Sequence, residues 1–410
     1  MPLVRGRRAA RTATLVVCAL SAALLPARAH ATGPDGATPV PPAPPAAAAH
    51  PGALRLERDA AALHRAGYTG VSVRLDTPRG AHTARGGVAD LRTGRPVPWQ
   101  GYLRTGSTTK TFVATVLLQL TGEGRVSLDD TVERWLPGVV HGHGNDGRRI
   151  TLRQLLQHTS GLPDYDGDVV PEFSARGYLA HRWTTYSPAE RVALALSHPP
   201  SFAPGTGWEY SNTNYILAGM VIEAVTGRGW EREVHDRVLR PLGLRHTLIP
   251  GDHPFLPHPH ARDYQQFGPG EPFTDTTVAY LPLDGGADGS IISTAADLNR
   301  FFSALLRGRL LGPAQLAEMR RTVALPEGSG GVPGTRYGLG LEWTPLSCGG
   351  GYWGHSGGGF GFYVWPGATE DGRTALTLSV HSQAGDPVVA GRQARAATAV
   401  VDRALCDARR

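Results

Sequence analysis

The sequence is poor in cysteine, with three in 410 residues, and no apolar run in it reaches bilayer-spanning length. A membrane-crossing helix takes about 20 consecutive apolar residues. The one candidate, TATLVVCALSAALL at residues 12–25, falls short of that, so no membrane anchor of this kind is expected. Acidic residues are absent from the first 31 positions, where Arg5, Arg7, Arg8 and Arg11 precede the apolar run and Ala29 and Ala31 supply an A-x-A site. This is the build of an export signal cleaved near Ala31. Cys18 lies inside the apolar core without small residues just before it, which argues against a lipid-acceptor cysteine. Taking away residues 1–31 removes five arginines and no acid, so a formal charge of +6 falls to +1. The pI of 9.4 thus belongs largely to the signal and gives no reason to expect a nucleic-acid partner. A secreted, monomeric protein is expected.

Two cysteines then remain, Cys348 and Cys406, in a chain that would reach an oxidising compartment. A bridge between them would tie the last helix to a strand region and stabilise the fold by at most about 4 kcal/mol; two free thiols are the alternative. Residues 32–55 open with TGPDGATPVPPAPPAAAAHP, a Pro/Ala-rich tract too poor in apolar surface to order itself, and are expected to form a disordered linker. Residues 56–410 show no further low-complexity break and no internal repeat, which suits one large catalytic unit with two lobes.

GVSVRL and HTARGGVADL near the start of that unit, and YGLGLEW, YWGHSGG, FGFYVWP and ALTLSVHS near its end, alternate like strands. Between them KTFVATVLLQLTGEG, TLRQLLQHTSG, NTNYILAGMVIEAVTG and TAADLNRFFSALLRG carry helical spacing and a glycine stop. A last helix, AGRQARAATAVVDRALC, would pack back on the strands. The fold class is therefore α+β: an antiparallel sheet from both chain ends flanked by helices, with a mainly helical lobe inserted at about 125–290.

GHSGG at 354–358 fits the G-x-S-x-G elbow, and Asp371 and His381 follow Ser356 in the chain order of an α/β-hydrolase triad. That fold needs parallel strands joined by crossover helices, whereas only 52 residues follow Gly358 and their strands are spaced for hairpins. A better-placed serine stands in RTGSTTKTF. Ser107 and Lys110 are three apart at the start of a predicted helix and share its first-turn face. The helix N-terminus stabilises developing negative charge there, and the Ser107 backbone N–H can face an oxyanion. The same positive end and burial would depress the Lys110 pKa and leave a neutral amine able to accept a proton. Tyr210-Ser211-Asn212 lies just before another helix. A tyrosine near such a lysine can shuttle protons, and an amide can hold a substrate amide; in isolation the same residues read as a core aromatic and a helix cap.

Taken in order, Ser107-Thr-Thr-Lys110, Tyr210-Ser-Asn212 and His355-Ser-Gly357 resemble the three signatures of the serine penicillin-recognising hydrolases, a family of D-alanyl-D-alanine carboxypeptidases, class C β-lactamases and related esterases. LLQHTSGLPDY, PGTGWEYSNTNY and ISTAADLNRFFSALL look like the family too. The likeness is greatest to secreted soluble carboxypeptidases with HTG as third motif, which also carry LSCG before it and a second cysteine near the C-terminus. The resemblance implies a β-lactamase/transpeptidase-like fold and a secreted serine hydrolase acting through an acyl-enzyme. Ser107 would be the nucleophile, Lys110 its base or hydrogen-bond partner, and Tyr210 a proton carrier. Asn212 would hold the substrate amide, and the N–H groups of Ser107 and Gly358 would form the oxyanion hole. His355, Ser356 and Gly357 would line the opposite wall and help recognise a substrate carboxylate, His355 losing its charge as pH rises.

One position departs from that pattern. Glu342 stands where those carboxypeptidases carry an arginine for the terminal carboxylate, and it would repel such a group; Trp343 beside it favours a more apolar ligand. A D-alanyl-D-alanine carboxypeptidase on cell-wall peptides is the first expectation. An esterase or β-lactamase on the same scaffold, or a non-catalytic penicillin-binding sensor, are the alternatives. The partners would be a cell-wall peptide or small acyl substrate, with β-lactams as acylating ligands. No cofactor is expected: His141, His143, His253, His258 and His260 lie in Gly- or Pro-rich loops without a paired cysteine or an H-x-x-x-H helix. His158 reads as a residue that ends a helix and fixes a loop, and HSGGGFG does not open a helix that could cradle phosphate.

Overall fold

The computed structural model describes residues 51–329 and 331–409; the expected export signal and most of the expected linker lie outside them. Among the described residues, nine strands form one sheet. In chain order they are β1 (Gly70–Thr77), β2 (Gly80–Gly87), β3 (Val323–Ala324), β4 (Arg336–Tyr337), β5 (Glu342–Pro345), β6 (Gly351–Gly354), β7 (Gly357–Gly359), β8 (Phe362–Thr369) and β9 (Ala375–Val380). The spatial order is β2-β1-β9-β8-β6-β5-β4-β3, with β7 paired to β8. Every pairing is antiparallel, from Val73 opposite Leu378 to Trp353 opposite Ala368. The first hairpin and the last seven strands therefore close one sheet across more than 230 residues of intervening chain, as hairpin spacing at both ends implied.

Helices cover both faces. On one, α1 (Pro51–Arg65) and α5 (Pro387–Ala408) bury Leu56, Ala60 and Leu63, and Ala397, Val400, Val401 and Leu405, against Val71, Val73, Leu376, Leu378 and Val380. On the other lie α2 (Thr109–Gly122), α3 (Thr213–Thr226) and α4 (Ala295–Leu306), whose apolar side chains join Val364, Ala368 and Ala375. All six residues of β9 are buried for this reason, including Thr377 and Ser379: a strand covered on both sides cannot keep a solvent face. Asn299 of α4 satisfies the polar side, accepting from the Thr377 hydroxyl at 2.7 Å and donating to the carbonyl of Ala375 at 3.2 Å. α2 is enclosed on every side, with ten consecutive buried residues from Thr109 to Leu118. Such a helix shows little amphipathic pattern, and its Phe112 stacks on Phe301 with ring centres 3.7 Å apart.

Two boundaries differ from the sequence reading. α1 begins at Pro51, inside the segment expected to be linker, because Leu56, Ala60 and Leu63 recur at helical spacing and meet β1. α5 begins at Pro387 rather than near Ala390, since the Asp386 carboxylate accepts from the N–H groups of Val388 and Val389 and Pro387 needs no partner at the first turn. No helix among the described residues is long and apolar enough to cross a membrane.

Cys348, in the turn between β5 and β6, is bonded to Cys406 of α5, 58 positions further along the chain, with Cα atoms 5.8 Å apart. The bond ties α5 to the hairpin that leads into the His355-Ser356-Gly357 segment. A Cys348→Ser/Cys406→Ser double variant should lose about 2–4 kcal/mol of stability in urea unfolding. An unchanged midpoint would show that α5 is held by packing alone.

Candidate active site

Gly106 makes the entry to α2 possible. Its φ of +49° lies in the left-handed region, and a Cβ there would stand 2.7 Å from both N and O of Gly358. Across the same contact a Cβ on Gly357 would fall 1.9 Å from the Thr105 carbonyl and 2.9 Å from the Ser107 nitrogen. Only a glycine–glycine approach brings β7 this close to the Gly106–Thr108 turn that carries Ser107. The Thr108 hydroxyl fastens the junction by donating to the His355 carbonyl at 2.8 Å.

One turn on, the Lys110 side chain is fully buried. Nζ lies 2.9 Å from Ser107 Oγ, 2.5 Å from Asn212 Oδ1 and 2.8 Å from the Asp288 carbonyl. The Asn212 amide is oriented by two carboxylates: Nδ2 donates to Asp164 Oδ2 at 3.2 Å and to Asp166 Oδ2 at 2.8 Å, so Oδ1 faces the lysine. Both its N–H donors are therefore occupied, and although Asn212 sits at the N-cap of α3 its side chain does not cap that helix. Two of the lysine's three neighbours, an amide oxygen and a carbonyl, can only accept. A neutral amine meets this arrangement fully, with two N–H bonds given and one lone pair left for the Ser107 O–H. Burial lowers the Lys110 pKa against the opposing pull of Asp288, Asp166, Asp164 and Glu342.

Tyr210 covers the amine, with Nζ 4.9 Å from its ring centre. Its hydroxyl is buried without a hydrogen-bond partner among the described residues. Burial pushes the phenol well above its ordinary value, with the Ser107 hydroxyl nearby acting in the opposite direction. The phenol is thus the weaker acid and the lysine the more readily neutral base of the two.

Behind Tyr210 runs a polar chain that the sequence reading valued only as a loop anchor. His158 ends the Leu152–Gln157 helix with a φ of +60°, and its ring centre lies 4.3 Å from that of Tyr210. Its Nδ1 accepts from the Ser211 N–H at 3.2 Å, and its Nε2 is 3.1 Å from the Tyr337 hydroxyl. Tyr337 Oη is in turn 2.7 Å from His355 Nε2, and His355 Nδ1 is 2.7 Å from the Ser356 carbonyl. His355 is 2% exposed. Burial, with Lys110 adding to it, lowers its pKa to about 3. The expectation that His355 lends positive charge to carboxylate recognition is corrected: both ring nitrogens are engaged and the ring is neutral across ordinary pH.

Ser356 Oγ accepts from the Tyr363 hydroxyl at 3.1 Å. Its supposed triad partners are elsewhere. Asp371 is held by the Thr369 hydroxyl at 2.6 Å, and His381 by Asp263 at 3.0 Å. Among the decoy histidines, His143 bonds the Leu196 carbonyl, His260 the Pro257 carbonyl, and the rings of His258 and His260 stack.

Ser107, Tyr210, Asn212, His355, Ser356, Gly357 and Gly358 all border one cleft of about 880 Å³, with Lys110 beneath it. The described residues lining it include five carboxylates, Asp164, Asp166, Glu209, Glu327 and Glu342, and no lysine or arginine. Glu342 keeps 23% of its side chain open, yet withdrawal from water still pushes its carboxyl up to about 7. Asp164 is pushed up to about 6, burial being the first cause, and Asp166 well above the usual carboxylate range by burial and by Asp164 beside it.

Residues 31–400 match the protein family described as Beta-lactamase. The chain belongs to the beta-lactamase family. Its serine hydrolase architecture, helices flanking an antiparallel sheet, is the one found here. Beta-lactamase relatives include Penicillin-binding protein 4 from Amycolatopsis lactamdurans, 31% identical over 313 residues, which is 73% of each chain. Penicillin-binding protein 4* from Bacillus subtilis (strain 168) is 28% identical over 259 residues, 59% of this chain; the match spans about half that relative's length, 53%. Among solved beta-lactamase-like structures, a D-stereospecific amidohydrolase from Streptomyces sp. superposes with a TM-score of 0.77 and 40% identity over 86% of this chain and 98% of its own.

The motif spacing pointed to Ser107, Lys110, Tyr210 and Asn212 as one group, and they do meet. Asp164, Asp166, Asp288 and Tyr337 were missed, because the contacts of the three acids with Asn212 and Lys110, and of Tyr337 with His158, join loops more than 45 residues apart; the only local signal was acid-rich LPDYDGD and DGGADGS beside the helical segments. Ser107→Ala should abolish labelling by a fluorescent penicillin, a loss on the order of 10⁴-fold or more, while Ser356→Ala keeps it. Retained labelling in Ser107→Ala would return the nucleophile to the elbow serine.

Proposed function

We propose that this chain is a secreted serine amidohydrolase that forms an acyl-enzyme at Ser107 and prefers acyl donors bearing an ammonium, such as D-amino acid amides or short peptides with a free amino end. The observation that carries this reading is the sign of the cleft: its described lining holds five carboxyl groups and no lysine or arginine, the one lysine being buried beneath it. Opposite charges attract and like charges repel most where water is partly excluded. The 40% identity to a D-stereospecific amidohydrolase supports the amide bond and the D configuration, and the Cys348–Cys406 bond fits an oxidising compartment.

In this reading Ser107 Oγ attacks the amide carbonyl while its proton passes to neutral Lys110 Nζ. The tetrahedral oxyanion lies against the backbone N–H groups of Ser107 and Gly358, which the Gly106–Gly357 contact draws together. Lys110, through the Tyr210 hydroxyl above it, returns a proton to the departing amine, and water then cleaves the ester by the same route reversed. Asn212 works on the base rather than on the substrate, since it holds one lysine N–H and both carboxylates.

A D-alanyl-D-alanine carboxypeptidase is the second reading, favoured by the 31% identity to Penicillin-binding protein 4. It leaves the substrate's terminal carboxylate facing acids. Turnover of D-phenylalanine amide, its N-acetyl derivative, a D-Ala-D-Ala peptide, an aryl acetate and a cephalosporin separates the readings. The free amide should exceed its N-acetyl derivative by about tenfold or more in kcat/KM. Faster turnover of the D-Ala-D-Ala peptide would overturn the preference.

The pH dependence has two parts. A base of depressed pKa is active only above that pKa, so acylation should rise with pH through a midpoint below the ordinary lysine value of 10.5. Asp164, near 6, and Glu342, near 7, gain charge only above those values. KM for an ammonium substrate should therefore fall as pH rises from about 5 to 8, while KM for a neutral ester stays level; parallel KM profiles for the two would count against carboxylate recognition.

A further inference from the structure

Asp288 touches the site twice, and only its backbone has been used so far. Its carbonyl takes a Lys110 N–H at 2.8 Å. Its carboxylate is 3% exposed as a residue and lies behind the lysine, away from the cleft lining. One oxygen, Oδ2, accepts from the Tyr165 hydroxyl at 2.8 Å, and the other, Oδ1, is 4.0 Å from Nη1 of Arg191 and has no hydrogen-bond partner among the described residues. Arg191 is itself buried, 2% exposed, and donates to the Leu281 carbonyl at 3.1 Å. The loop between them is packed to the limit. A Cβ on Gly286 would fall 2.3 Å from Arg191 Nη1 and 2.4 Å from Asp288 Oδ1.

A buried carboxylate and a buried guanidinium are each costly to desolvate, and such a pair is weak grounds for stability. Here the pair has a second effect, because a carboxylate on the residue whose own carbonyl holds the amine favours the protonated amine where water is excluded. We infer that Asp288 is a positioning residue that sets the protonation of Lys110, its carbonyl fixing the amine and its carboxylate, clamped by Tyr165 and Arg191, fixing the field around it. Lys110 also faces Asp164 and Asp166 from the loop after the Leu152–Gln157 helix and Glu342 from β5. The rings of Tyr210 and Tyr215 and the neutral imidazoles of His158 and His355 complete its surroundings. Of the charged groups Asp288 exerts the largest upward pull on the lysine. The arrangement sets two influences against each other: burial favours the neutral amine, and Asp288 favours the protonated one. This rests on the reading of Lys110 as the base.

The test exploits composition. Lys110 is the only lysine in the sequence, so ε-¹³C-lysine labels a single side chain and its NMR shift reports that one titration. Asp288→Asn, which keeps shape and backbone, should lower the Lys110 midpoint by about one pH unit, and by more than Asp166→Asn does. The low-pH limb of kcat/KM should move with it. Tyr165→Phe, which removes the donor but not the charge, should raise the midpoint and serves if Asp288→Asn folds poorly, as judged by circular dichroism. A Lys110 resonance unmoved by Asp288→Asn, or moved more by Asp166→Asn, overturns the inference. If the resonance moves while the kinetic limb does not, the inference stands and the assignment of Lys110 as base falls.

Discussion

The burial of one amine governs the rest of the site. An ammonium without water is expensive unless every N–H finds an acceptor, and around Lys110 the fixed acceptors number two, Asn212 Oδ1 and the Asp288 carbonyl, with a hydroxyl as the third neighbour. That count suits the neutral form and aims its lone pair at Ser107. The three partners come from the α2 entry, the α3 entry and the loop before α4, so the chemistry exists only where those loops converge. Asp164 and Asp166 then act at one remove, since without them the Asn212 amide could turn its N–H groups toward the lysine.

The sheet supplies the rigid side of this convergence. β8 and β9 are covered on both faces and cannot shift without opening two cores. β7 hangs from β8 by the pairing of Gly358 with Tyr363 and meets the α2 entry through bare glycine backbone. Any side chain at Gly357 would push the strand off the Thr105 carbonyl and carry the Gly358 N–H away from Ser107. The disulfide acts on the same wall from the far end, through the turn between β5 and β6.

What could be read from the chain and what could not divide along contact range. Strand alternation and hairpin spacing marked the antiparallel sheet, because those signals are local to each element, and Ser107-x-x-Lys110 declared itself as one helical turn. The α1 helix escaped notice since its apolar residues begin directly after a Pro/Ala tract whose composition dominates the reading. The burial of His355 could not be seen at all: H-S-G next to a glycine run looks like an open wall, whereas Tyr337 and Tyr210 pack against the ring and the Thr108 hydroxyl holds its backbone carbonyl. Asp288, Arg191 and Tyr165 lie about 97, 123 and 26 residues from one another in sequence, with no motif to join them.

The polar chain behind Tyr210 has a direction, and the direction has a consequence for recognition. A backbone N–H can only donate, so the Ser211 N–H fixes His158 Nδ1 as an acceptor and leaves Nε2 to carry the hydrogen. That hydrogen points to Tyr337, whose own hydroxyl must then donate to His355 Nε2, which leaves the hydrogen of His355 on Nδ1 for the Ser356 carbonyl. Each bond is satisfied in one sense only, with both imidazoles neutral. Charging His355 would aim its Nε2–H at Tyr337 Oη and break the bond that the Tyr337 hydroxyl donates to it. The imidazole of the third motif is thus neutral, and the group on its wall that changes charge is Glu342, whose Oε1 lies 3.9 Å from His355 Nδ1 and whose Oε2 is 3.5 Å from the Ser356 N–H. One fold can in this way keep the same serine, lysine and tyrosine beside different cleft linings.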